Sequence, residues 1–554
     1  MSEPGDGWTR RKFLEMVGKA GGSAAVYETM TALGLINVPA AWAGPLEVPA
    51  AVGAGKKVLI LGAGIGGLTL AYELATRGGY EVEILEATER AGGRSLTARN
   101  GTRITEQSAE HGTTHQECKF DAGLYLNMGP GRLPYHHRRA LHYCHLLGVA
   151  LEVYVMETTA NLYQTDAAFG AQPRVNRRIA NDTRGYVAEM LAKSVWRGTF
   201  DQELDAADRK RLLELLAVFG DLGVGKDCGP YEYCGSTRSG CEHPLTVFQP
   251  CDPEPKLPFK ELLRSEFWAH RFYQPVDYEW QPTLFQPVGG MDELVEGFKR
   301  KIGKLITYGA EVKEIRLVDD GVEVATRDGK SRRGDYCVSN IPLPVLQRIP
   351  ANFSPEYKQA VDRARFAATC KVGWQANRRF WETDREIYGG ISWCDDIITQ
   401  MWYPSNDYFT AKGTLTGTYN FDDAAVKLGA MSLEERLVTA RKGAVKLHPE
   451  FKDDAVVPQR LGLSIAWHHV PFQEGGWADW GSSEADARAY GRLLAPDGRF
   501  HVVGDQVSTL PGWQEGAMMS AEHVLGQLVG PRLLSKVPEI VRAPDSRRLV
   551  QGRF

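Results

Sequence analysis

The run Gly62-Ala63-Gly64-Ile65-Gly66-Gly67 has the G-x-G-x-x-G spacing that lets backbone meet a pyrophosphate. Gly62 permits a tight turn, Gly64 lets the chain approach the phosphates, and Gly67 lets a helix pack close to a strand. Gly66 lies at the start of that helix, where N–H groups without intrahelical partners face an anion. Glu86 follows 19 residues beyond Gly67, where a carboxylate accepts hydrogen bonds from ribose hydroxyls. The elements needed to position these groups are present in order. Residues 57–61 are a short apolar strand, a helix follows the turn, and a second strand ends at Glu86. Together they predict a unit that holds an adenine dinucleotide.

The choice of dinucleotide comes from Arg90-Ala91-Gly92-Gly93-Arg94. An Arg-x-Gly-Gly-Arg turn here offers cationic and backbone donors to an extended pyrophosphate cofactor, which suits permanently bound FAD better than exchangeable NAD. With this turn the sequence resembles the flavin-dependent amine oxidase superfamily, which includes monoamine, polyamine and L-amino acid oxidases. The resemblance covers nearly all of residues 56–530 and is weakest around 140–280. It implies an α/β fold: a Rossmann-like FAD-binding domain of glutathione-reductase type, an interleaved α+β substrate-binding domain and a helical insertion.

Oxidising a C–N bond by flavin requires the substrate Cα–H to be aligned with the cofactor and the amine to be neutral. An α-carboxylate further requires a fixed cation, for which a bidentate arginine is suited. Asn127-Met128-Gly129-Pro130-Gly131-Arg132-Leu133-Pro134 is similar to the Gly-Pro-x-Arg-Leu-Pro element of L-amino acid oxidases and of bacterial tryptophan and phenylalanine 2-monooxygenases. The resemblance implies that Arg132 clamps a carboxylate while Gly131 and its neighbours lie along the flavin. Simple amine oxidases lack this arginine.

The same resemblance assigns further roles. Lys371 matches a lysine that holds a water near flavin N5, and Val312 a valine lying against adenine. Gly504-Asp505 match the end of the family's last strand, reaching the ribityl or pyrophosphate region. Gly512-Trp513-Gln514-Glu515-Gly516-Ala517 is similar to a Gly-Trp-x-Glu-Gly-Ala turn and helix. Trp513 would wall the substrate site, Gly512 would offer a carbonyl to the amine, and the helix start with Ala517 would face the flavin. Trp402 and Tyr403 match a segment whose aromatic touches the carboxylate. Ser508 and Thr509 stand where covalent flavoenzymes carry a cysteine, so FAD is expected to bind noncovalently. The implied activity is L-amino acid oxidation to 2-oxo acid, ammonia and hydrogen peroxide, with aromatic density favouring bulky aromatic or aliphatic substrates. The alternatives are a 2-monooxygenase giving amide and carbon dioxide, and an amine oxidase, which Arg132 disfavours.

Composition sets the outer bounds. The 554 residues are 43% apolar and 24% charged, as in ordinary globular proteins, and the formal net charge of −4 argues against nucleic acid as a partner. No apolar run is long enough to span a membrane. The expected partners are an amino acid, oxygen and a second copy of the chain in a homodimer. Residues 1–44 form a leader in which Thr9-Arg10-Arg11-Lys12-Phe13-Leu14 fits a twin-arginine signal, and Ala41-Trp42-Ala43 offers a cleavage site. Periplasmic export is expected, with a retained leader on a cytoplasmic protein as the alternative. Segments 45–102, 285–345 and 491–530 are assigned to FAD binding, 103–284 to an insertion, 346–490 to the substrate domain and 531–554 to a tail. Within the insertion, helix is expected near 185–220 and 260–273. Cys228, Cys234, Cys241 and Cys251 crowd one loop at spacings unsuited to zinc, so no metal is assigned. One or two disulfides or free thiols are expected there.

Overall fold

The computed structural model describes residues 48–198, 204–225 and 227–530. The twin-arginine leader, its cleavage site and the tail lie outside the described residues. Lys57–Leu61 is β1, Ile65–Thr76 is α1 and Glu81–Leu85 is β2. Ile306–Thr307, Tyr336–Ser339 and Phe500–Val502 are β3, β4 and β5. They form one parallel sheet in the order β3-β2-β1-β4-β5. Because side chains alternate along a strand, β1 sends Val58 and Ile60 into one core and Leu59 and Leu61 into another. Both faces are therefore covered, which explains why β1 reads as a continuous apolar run. The helix Gln514–Val529, here α2, packs on α1 over the first face. The second face meets an antiparallel sheet of Val312–Val318, Gly321–Thr326 and Ser331–Gly334.

A second, mixed sheet has seven strands. Its order is Arg174–Val175, Leu162–Gln164, Ile391–Cys394, Gln400–Trp402, Gly413–Phe421, Thr369–Ala376 and Gly462–Ala466. Thr369–Ala376 is buried at every position, so this strand is interior on both faces. A small antiparallel sheet of Leu133–Pro134, Leu284–Pro287 and Leu151–Tyr154 stands beside it and carries the chain from Arg132.

The segment 103–284 departs from a helical insertion. It begins with the hairpin Arg103–Ser108 and Gly112–Glu117, and it supplies two strands of the seven-stranded sheet. The helical stretch expected near 185–220 is present as Asn176–Trp196 and Ala206–Gly220. Residues 260–273, expected as one helix, are not. Phe259–Arg264 and the 3-10 turn Phe267–His270 are separated by Glu266, with Arg271 closing the turn, and both of those residues have left-handed backbone that stops propagation. The crowded cysteines form two disulfides, Cys228–Cys234 and Cys241–Cys251, and the other five are buried free thiols. Among the described residues no helix is long and apolar enough to cross a membrane.

Candidate active site

A continuous cavity of 510 Å³ runs from the carboxyl ends of the parallel strands to the seven-stranded sheet. At its first end, Gly62 turns with φ +97° and donates its N–H to the Leu85 carbonyl at 2.8 Å, which ties β1 to β2. A Cβ on Gly67 would collide with the Gly62 carbonyl oxygen, and one on Gly64 with the Asn340 side-chain amide. The α1 N-terminus has no side-chain cap. Its start, Gly64 to Gly66, lines the cavity, leaving N–H donors for an anion. Glu86 is buried at the end of β2, its carboxylate fixed by N–H donors from Ala63 and Thr88 at 2.9 Å each and by the Thr88 hydroxyl at 2.7 Å. Val312, Gly93 and Gly504 line the same stretch.

Arg90 and Arg94 behave differently from the sequence expectation. Arg90 Nη1 donates to the Ala91 and Ser95 carbonyls and Nη2 to that of Gly93, so its charge closes its own turn. Arg94 pairs with Asp505 and donates to the Gly476 carbonyl at 2.5 Å. Asp505 in turn accepts the Gly512 N–H at 2.7 Å. Arg94 and Asp505 both line the cavity, yet as a mutually neutralised brace joining the turn after β2 to the turn before α2.

At the other end stands Arg132, 5% exposed. Its guanidinium lies 4.0 Å from the Trp280 ring centre, 4.6 Å from Trp402, 5.7 Å from Tyr154 and 5.9 Å from Trp513. Nε and Nη1 have no hydrogen-bond partner, and no ion pair reaches this arginine among the described residues. The indole N–H groups of Trp280 and Trp513 are likewise buried without a hydrogen-bond partner, while the Tyr154 hydroxyl interacts with the guanidinium itself. Burial lowers the Arg132 pKa, the direction expected for an uncompensated cation. Unpaired donors gathered in one wall carry a large penalty unless an acceptor joins them. Gly131 is required by closeness, since a Cβ there would lie 2.7 Å from the Trp402 ring.

Chain similarity identifies what this cavity serves. The profile of flavin containing amine oxidoreductases matches residues 65–524. The chain belongs to that family. Its cofactor is FAD. Among relatives, the flavin-dependent L-tryptophan oxidase RebO of Lentzea aerocolonigenes is 27% identical over 489 residues, covering 84% of this chain and 96% of that protein. An L-amino-acid oxidase of Siganus canaliculatus is 24% identical over 505 residues, covering 88% of each. The fold is similar to putrescine oxidase, with TM-score 0.55, 16% identity and coverage of 86% of this chain and 99% of the other. Cyclohexylamine oxidase from Brevibacterium oxydans IH-35A gives TM-score 0.53 at 17% identity, covering 86% of this chain and 98% of the other.

The residues present fit an extended dinucleotide of this family. The uncapped α1 start and the glycine cradle suit a pyrophosphate, while Glu86 and Val312 suit the adenosine end. The α2 start also lacks a side-chain cap, and Gln514 and Ala517 there line the cavity. The positive end of that helix suits an electron-rich ring system.

The sequence-assigned substrate residues separate in space. Arg132, Trp402, Gly512 and Trp513 line the cavity together. Tyr403 does not. Its hydroxyl bonds Ser392 at 2.8 Å and His448 at 2.6 Å inside the core behind the sheet. Successive residues of an extended chain point to opposite faces, so Trp402 and Tyr403 cannot both face the cavity. Lys371 stands one layer behind the lining, Nζ donating to the carbonyls of Gly129 at 2.6 Å and Asn127 at 3.2 Å. The Trp402 and Tyr419 rings flank it at 4.7 and 4.4 Å. Burial, then the nearby Arg132 charge, pushes its pKa down to about 7. Sequence reasoning missed Trp280, Gln274, Tyr419 and Gln400, all cavity-lining. Trp280 sits in a 3-10 turn with no periodicity, and no sequence signal marked it.

Proposed function

We propose that the protein is an FAD-dependent L-amino acid oxidase acting on bulky aromatic or aliphatic substrates. The observation that carries this reading is the buried guanidinium of Arg132, with Nε and Nη1 lacking a hydrogen-bond partner, in the wall of a flavin-family cavity. An amine without a carboxylate would leave that charge uncompensated, whereas an amino-acid carboxylate satisfies it with paired charge-assisted hydrogen bonds. The net reaction takes amino acid, oxygen and water to 2-oxo acid, ammonia and hydrogen peroxide. FAD, bound noncovalently, supplies the two-electron oxidation of the Cα–N bond and passes the electrons to oxygen.

The protein's part is to bind, orient and dry the substrate. Arg132 fixes the carboxylate, and with it the direction of Cα–H. Trp280, Trp402 and Trp513 surround that charge and exclude water, which strengthens the pairing. Tyr419 and Phe421 add to the aromatic lining of the cavity. Lys371 holds the 127–129 backbone in place behind the cavity wall, next to the rings of Trp402 and Tyr419.

The direct test is Arg132→Ala with FAD content checked by absorbance. Losing a buried charge-assisted pair should reduce kcat/KM for the best amino acid by about 100-fold or more. Unchanged kinetics with flavin retained would remove the carboxylate role from Arg132.

A further inference from the structure

Behind the aromatic cage lies a cluster that the assigned residues do not use. His136 Nε2 and His137 Nε2 each lie 3.0 Å from the same oxygen, Glu279 Oε2. His137 is fully buried, and the side chains of His136 and Glu279 are only 10% and 13% exposed. The histidines follow Arg132 on one segment, and Glu279 immediately precedes Trp280 on another. The His137 ring meets Trp513 edge-on with centres 4.8 Å apart, and Trp513 meets Trp280 at 5.1 Å. His136 stacks on Tyr278 at 4.3 Å, which adds a second attachment between the two segments.

Two histidines and a carboxylate within 4.8 Å of one another also resemble a three-ligand metal set. The outer atoms decide against it. Metal-bound imidazoles normally donate their second ring N–H to an outer partner, and Nδ1 of both rings has none. If both Nε2–H groups instead donate to Glu279, each Nδ1 is a bare acceptor on a neutral ring. Burial lowers the His137 pKa and favours that neutral ring. For Glu279, burial alone would raise the carboxyl, but hydrogen bonds from both histidines hold it down at about 2.

We propose that His136, His137 and Glu279 form a positioning clamp that fastens Trp280 and Trp513 against the Arg132 guanidinium, so that the carboxylate cage is preformed. None of the three residues lines the cavity. The clamp rests on the reading of Arg132 given above, and it adds what keeps two indole rings in place around a buried charge that would otherwise draw in water. A preformed cage spares the substrate the ordering of those side chains.

The test uses the FAD-loaded enzyme with benzoate, a carboxylate without an amine, titrated calorimetrically alongside KM and kcat. Glu279→Leu should raise the benzoate Kd and the substrate KM by about 10- to 100-fold, as misplacement of a binding group does, with kcat at saturation much less affected. Glu279→Gln, whose amide oxygen still accepts both N–H groups, should recover most of that loss. In an Arg132→Ala background Glu279→Leu should add little, because the two changes act through one contact. If Glu279→Leu does not fold, His136→Ala, the less buried donor, decides by a smaller rise in Kd. A wild-type Kd in the folded clamp variants overturns the proposal, as does an undiminished extra loss in the Arg132→Ala background. Weakening by EDTA with recovery on Zn²⁺ overturns it in favour of a metal site. Arg132→Ala without effect on benzoate would instead remove the underlying carboxylate reading.

Discussion

At the scale of single residues, the balance between Arg132 and Lys371 sets how the cage holds an anion. Arg132 stays charged, since a guanidinium loses its proton only far above neutrality. Lys371 is different, because burial and then Arg132 bring its pKa down to about 7. Below that pH it carries a second positive charge beside the cage, and above it the amine is neutral. Benzoate remains ionised throughout, as carboxylates titrate near pH 4. Its affinity for the FAD-loaded enzyme should therefore fall as pH rises through about 7. Lys371→Met should flatten that dependence over the same interval, measured by calorimetric titration. An identical slope in the variant would assign the titration to another group. The residue scale also shows where sequence was sufficient. Arg132 was legible because Gly-Pro-x-Arg-Leu-Pro is a compact local pattern. Trp280 was not, because its relation to Arg132 arises only when residues 277–280 fold over the strand Leu133–Pro134.

At the scale of elements, the strand-turn-helix of β1, α1 and β2 follows directly from the sequence, since apolar period, glycine spacing and terminal Glu86 all act locally. The strands Val312–Val318 and Gly321–Thr326 likewise pair locally, joined by a tight turn at Asp319-Asp320. The insertion was harder. Its aromatic run around Phe267 resembles a helix in composition, but left-handed residues at Glu266 and Arg271 break it, a backbone choice imposed by packing against Tyr163 and Phe272. The hairpin Arg103–Ser108 and Gly112–Glu117 is anchored by Glu106, which receives both Arg436 Nη1 at 2.9 Å and Nη2 at 3.0 Å in a buried bidentate pair. Glu106 also accepts the Ala466 N–H at 2.8 Å, joining hairpin, helix and sheet. Removing one partner strands a buried charge, so Glu106→Ala should destabilise the protein by about 3–5 kcal/mol. Calorimetry should show this as a lowered unfolding midpoint, with part recovered in the double change Glu106→Gln, Arg436→Met. An unchanged midpoint in Glu106→Ala would mean that the pair contributes nothing net.

At the scale of the molecule, two sheets divide the work. The parallel sheet brings the glycine turn, Glu86 and Asp505 to one end of a cavity, and the mixed sheet brings Trp402 and Tyr419 to the other. Arg132 enters between them on a short connecting strand segment, with Trp513 arriving from the turn before α2. This explains why dinucleotide binding was readable from residues 56–86 alone, while the substrate wall was not: its members come from separated stretches of chain, brought together only by the tertiary fold. On the function proposed above, a carboxylate is recognised where the two sheets meet, and that defines the reaction. The most direct measurement is a complete product balance on the FAD-loaded enzyme with a panel of L-amino acids. For each mole of amino acid consumed, one mole each of 2-oxo acid, ammonia and hydrogen peroxide is predicted, with bulky aromatic or aliphatic substrates fastest. Amide and carbon dioxide in place of ammonia and peroxide, or turnover of simple amines in preference to amino acids, would contradict it.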